Sequence, residues 1–138
     1  MDTKPTEIKK SISYFRYRVL VVEDDTLGAK LITLVLHKLG FEDIELTQNG
    51  EDAWNLIENA TQPFDLVISD WNMPHMTGLE LLQKVRKTNS HLPFIMITGR
   101  GMLESAVDAK THGVTHFIYK PYTPHQLIEK IHKTFKEE

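Results

Sequence analysis

Five times along this chain a short apolar run gives way to apolar residues at helical spacing, and nothing else in the sequence restricts the fold as much. Val19–Val22, Leu66–Ile68 and Phe94–Ile97 are unbroken apolar runs, as strands buried on both faces should be. Ile44 and Leu46 alternate with Glu45 and Thr47, so the second strand reads as a half-exposed edge, with Asn49-Gly50 turning out of it. Phe117-Ile118-Tyr119 makes the fifth. The first helix is expected to bury Leu27, Leu31, Val35 and Leu39, with Ile32 and Leu36 beside them, and to stop at Gly40. The second gathers around Ala53, Trp54, Ile57 and Ala60, and the third carries Leu79, Leu82 and Val85. The fourth, roughly 102 to 112, offers only Leu103, Ala106 and Val107 and should be the most weakly held; the fifth buries Leu127, Ile128, Ile131 and Phe135. Thr77 with Glu80, and Thr123 with Gln126, have the spacing of capping boxes, the second with Pro124 at the first helical position. Strict alternation of strand and helix makes a parallel sheet covered on both faces, an α/β fold of (βα)5 form.

The 138 residues, 41% hydrophobic and 25% charged, suit one ordinary domain and leave no room for a second. Residues 1–16 read as a polar N-terminal extension and 17–138 as the folded domain. At the junction Tyr14, Phe15 and Tyr17 are expected to pack onto the domain's own first strand. A net charge of -3 without a basic face argues against nucleic acid as partner, leaving small molecules or proteins. No cysteine is present, which excludes disulfides and thiolate metal sites and suits a reducing compartment. The start lacks the apolar core of a signal peptide and no apolar run is long enough to span a membrane, so a cytoplasmic protein is expected.

Chemistry in such sheets sits beyond the carboxyl ends of the strands. There the chain offers Glu23 and Asp24 after the first strand, Asp70 after the third, Thr98 after the fourth and Lys120 after the fifth. Asp70, at the end of FDLVISDWNMP, is expected to be exposed where a buried strand ends. Two carboxylates about 4 Å apart repel by roughly 4 kcal/mol at an effective dielectric near 20, and a third makes matters worse. One lysine does not offset that. Either a proton is taken up with a raised pKa or a hard divalent cation sits among the oxygens, and an oxygen-only donor set favours Mg2+. A carboxylate beside Mg2+ and a lysine suits acceptance of a phosphoryl group, whose charge is spread over three oxygens. Asp25 reads as a helix-start residue. The seven histidines are scattered without metal-ligand spacing, His75 lying nearest the site.

VLVVEDD, LVISDWNMP, IMITGR and FIYKP, in that order over residues 18 to 135, resemble the motifs of the receiver domains of two-component signalling, most nearly its single-domain chemotaxis regulators. The resemblance implies a flavodoxin-like sheet of order 2-1-3-4-5. It makes Asp70 the phosphorylated nucleophile, with Mg2+ held by the side chains of Asp24 and Asp70, by the Asn72 carbonyl, and by Glu23 through water. It makes Thr98 and Phe117 the switch pair, gives Lys120 a contact to the phosphoryl group, and implies a cis Lys120-Pro121 bond. The implied partners are a histidine kinase as phosphodonor, a target such as a flagellar motor switch protein or a histidine phosphotransfer protein, and a phosphatase. The protein would be a monomer that at most catalyses its own phosphorylation and dephosphorylation. Phe117 stands where tyrosine is common in those regulators, Leu103 where lysine is frequent at the motor-binding surface, and Arg100 where an acid is common. Arg100 is therefore expected to reach over the cleft and alter phosphoryl lifetime. A phosphorelay intermediate is the nearer rival. A Mg2+-dependent aspartyl-phosphate phosphatase is more distant, because its acid/base would occupy the position of Asn72.

Overall fold

Continuous apolar runs place five strands side by side, β1 (Arg18–Val22), β2 (Asp43–Thr47), β3 (Leu66–Asp70), β4 (Phe94–Thr98) and β5 (His116–Tyr119). They form one parallel sheet in the order β2-β1-β3-β4-β5. The computed structural model describes residues 14–99 and 103–136, the side chains of 103–106 excepted. Arg100 therefore lies outside the described residues, as does the side chain of Leu103. Five helices complete the flavodoxin-like alternation: α1 (Thr26–Leu39), α2 (Gly50–Asn59), α3 (Gly78–Thr88), α4 (Leu103–Thr111) and α5 (Pro124–Lys136).

Successive side chains of a strand point to opposite faces, so the sheet has two cores. Val19, Val21, Ile68, Ile95 and Ile97 pack with Ile32, Val35 and Leu36 of α1 and Leu127 and Ile131 of α5. Leu20, Val22, Val67, Phe94 and Met96 pack on the other side with Ala53 of α2, Leu81, Leu82 and Val85 of α3 and Ala109 of α4. Both capping boxes form: Thr77 and Glu80 exchange bonds at α3, and Thr123 and Gln126 at α5. Gly40 ends α1 with φ 103°, the left-handed conformation that favours glycine.

Three apolar residues face differently from the expectation drawn from periodicity. Leu27 is 76% exposed because Ala29, Ile32, Val35 and Leu36 define the buried ridge of α1, and Leu27 falls on the ridge opposite. Val107 is likewise exposed while Ala109 takes the core position in α4. In β2, an edge strand as expected, Leu46 is exposed and Thr47 buried. At the N-terminal junction Tyr14 is buried, stacked on Phe41 at 4.7 Å, and its hydroxyl lies 2.6 Å from His132 Nδ1. Tyr17 stacks on Phe135 at 4.4 Å, and Phe15 stays half exposed.

Candidate phosphoacceptor site

The register brings the expected groups to one edge. β1 ends with Val22 beside both Thr47 and Ser69, and Glu23 and Asp24 follow. Asp70 closes β3 beside Ile97, and Thr98 closes β4 beside Tyr119, one residue before Lys120. One carboxylate oxygen from each of Glu23, Asp24 and Asp70 lies within 4.8 Å of the others. Lys120 Nζ stands 3.4 Å from Asp70 Oδ1 and 3.5 Å from Glu23 Oε1. Thr98 is fully buried, and its carbonyl accepts from Lys120 N at 2.7 Å, which ties the ends of β4 and β5 together. The Lys120-Pro121 bond is cis, as the resemblance implied.

Asp70 is not exposed, as its place after an apolar run suggested, but 7% accessible, and Glu23 only 2%. The reason is the chain on either side. Trp71 is itself buried, and its N–H donates to Asp70 Oδ1 at 2.9 Å. Asp25 N donates to Glu23 Oε2 at 3.1 Å, which holds that carboxylate inward, while Asp25's own side chain caps α1 by accepting from Gly28 N at 3.0 Å. Asp24 and Asn72 are exposed at the rim.

Burial sets the electrostatics. Desolvation, joined by the charge of Asp70, pushes the Glu23 carboxyl up to about 7. Desolvation also raises Asp70, although Lys120 and the Trp71 N–H pull it down. Burial works against the Lys120 ammonium, but Asp70 and Glu23 outweigh it and raise its pKa. Among the described residues Lys120 is the cation in contact with these acids, which leaves surplus negative charge that protons or a metal must balance. Three clustered oxygen donors, with neither sulfur nor imidazole among them, fit a hard divalent ion such as Mg2+.

Phe117 is half buried in β5, its ring edge-on to Trp71 at 6.3 Å and to the half-exposed Tyr119 at 5.1 Å. An aromatic file therefore runs from the residue after Asp70 to the surface. His75 is exposed in the β3–α3 turn, with φ 70°. Two further residues shape the site. A Cβ at Gly78 would lie 2.3 Å from the Asp70 carbonyl oxygen and 3.0 Å from Trp71 Cα, so only glycine lets α3 start beside the acceptor. Gly78 N also donates to the Trp71 carbonyl at 2.8 Å. Tyr122, past the Lys120-Pro121 bond, enters the cleft flank with Glu23, Asp25, Gly28, Leu31, Gly99 and Lys120. The only sequence signal for Gly78 was its place inside the α3 capping box. Tyr122 had none beyond following the lysine-proline pair.

Acid pair, acceptor, strand-end hydroxyl and lysine on this sheet define a response regulator receiver domain. The family model of that description matches residues 19–132, and the chain belongs to this family. Its relatives include the chemotaxis protein CheY1 of Helicobacter pylori strain J99, 39% identical over 83% of this chain and 93% of that protein. A chemotaxis protein CheY homolog of Campylobacter jejuni strain 81-176 is 38% identical over 83% and 88%. Among solved structures, the CheY-like receiver domain protein of Methanospirillum hungatei JF-1 superposes with a TM-score of 0.80 at 33% identity, covering 88% of this chain and 94% of that one.

Proposed function

We propose that Asp70 accepts a phosphoryl group from a histidine kinase and that the chain thereby switches its affinity for a partner in chemotaxis signalling. The observation that carries this reading is Lys120 Nζ set between Asp70 and Glu23, with Asp24 alongside. An Asp70 oxygen attacks phosphorus, the phosphorus–nitrogen bond of the donor breaks, and the electron pair returns to the imidazole nitrogen. Lys120 neutralises one phosphoryl oxygen, and the Thr98 hydroxyl hydrogen-bonds a second. Glu23, Asp24, Asp70 and the Asn72 carbonyl would hold Mg2+, which supplies charge neutralisation for the transferred group. Burial of Asp70 and Glu23 keeps water away, so little reorganisation is needed when charge moves.

Phosphorylation draws Thr98 toward the phosphoryl group and lets Phe117 turn inward, altering the surface of α4, β5 and α5. To take the active state from 1% to 99% the phosphoryl group must favour it by about 5.5 kcal/mol. The relatives named for chemotaxis support a target such as the flagellar motor switch. Asn72 stands where a phosphatase would need its acid/base, which supports a phosphoacceptor over a turnover enzyme. Trp71 fluorescence tests the reading: with Mg2+ already saturating, adding a small phosphodonor should change it in wild type and not in Asp70→Asn. Equal responses in the two proteins would refute it.

A further inference from the structure

A cavity of about 480 Å3 opens on the flank of Lys120 away from β3, between the β1–α1 turn and the β5–α5 turn. Glu23, Asp25 and Lys120 supply its charge, Leu31, Pro121 and the Tyr122 ring its flat apolar walls, and Gly28 and Gly99 leave it free of side chains at two points. Among the described residues the Tyr122 hydroxyl makes no hydrogen bond, and it is not sealed from solvent.

We propose that this cavity receives the leaving group of the phosphodonor and that Tyr122 is a specificity-determining residue for imidazole donors, its hydroxyl oxygen accepting from the N–H of the distal ring nitrogen. The proposal rests on Asp70 as acceptor. An imidazole is flat, fits between proline, leucine and phenol, and brings a partial positive charge when its distal nitrogen is protonated. With Glu23 already paired to Lys120, Asp25 is the acid left to favour that charge over the carboxylate that leaves an acyl phosphate. As the phosphorus–nitrogen bond breaks, its electron pair stays on the proximal nitrogen. The distal nitrogen keeps its proton, and a neutral imidazole departs with no net proton transfer to the protein. Burial and the charges of Glu23 and Asp70 hold the Tyr122 phenol up to about 12, so it remains a neutral hydroxyl throughout.

The test compares two small donors, phosphoimidazole and acetyl phosphate, on wild type and Tyr122→Phe with Mg2+ present. Each rate of Asp70 labelling is read as kcat/KM, and circular dichroism checks that the variant folds. The ratio of phosphoimidazole to acetyl phosphate rates should fall about tenfold or more in the variant, the effect of losing one hydrogen bond to a charged group. A ratio within about twofold of wild type, whether both rates fall together or neither does, overturns the role of Tyr122 and leaves Asp70 as acceptor intact. Failure of both donors to label Asp70 in wild type would overturn the acceptor reading and this proposal together.

Discussion

Lys120 Nζ and Asp70 Oδ1 stand 3.4 Å apart, and among the described residues that ammonium is the cation set against the three clustered carboxylates. It neutralises the acceptor before a donor arrives and competes with a metal for the same charge. Lys120→Met should therefore bind Mg2+ about tenfold more tightly, a shift worth about 1.4 kcal/mol, while labelling of Asp70 slows. Titration of Trp71 fluorescence with Mg2+ reads the first effect. Unchanged or weaker binding would show that Lys120 does not share the metal's charge.

Glu23 gives a pH dependence whose sign is fixed. Its pKa is about 7 in the folded protein against an ordinary value of 4.5, so the fold prefers the protonated acid. A raised folded pKa means stability that is present below about 4.5 and lost as pH rises through about 7. Metal-free protein should accordingly show a melting temperature that falls across this window, with a smaller fall in Glu23→Gln. Mg2+ added above pH 7 should restore stability in wild type by binding the folded state. A flat profile in metal-free wild type would contradict the electrostatic picture.

Gly78→Ala would put a methyl group 2.3 Å from the Asp70 carbonyl oxygen, a backbone atom that cannot move aside without shifting the acceptor. The expected cost is about 2–3 kcal/mol, in the range of overpacked cores, with slower phosphorylation of the protein that still folds. Denaturant unfolding with a labelling assay checks both. Wild-type stability and rate in this variant would mean that α3 does not abut the acceptor.

Much of this was legible because parallel strands end at one edge, so naming the strands named Glu23, Asp24, Asp70, Thr98 and Lys120 together. What stayed hidden depends on the third dimension. Helical spacing gave the right helices but not the phase of Leu27 or Val107, since α1 carries apolar residues on two ridges and α4 too few to define one. The burial of Asp70 and Glu23, and the bonds they accept from Trp71 N and Asp25 N, are features no periodicity encodes. Gly78 and Tyr122 gain their meaning from neighbours distant in the chain or across a turn. Tyr14 was expected against the first strand; its ring contacts are instead with Phe41 and with His132 and Phe135 of α5.

The central claim is that Asp70 carries the phosphoryl group. Wild-type protein incubated with Mg2+ and a small phosphodonor can be trapped with borohydride, which reduces an aspartyl phosphate to homoserine, and the peptides can then be sequenced. Homoserine at position 70 in wild type, with none anywhere in Asp70→Asn, is the predicted result. Homoserine at Asp24 or another acid, or no reduction product at all, would contradict it.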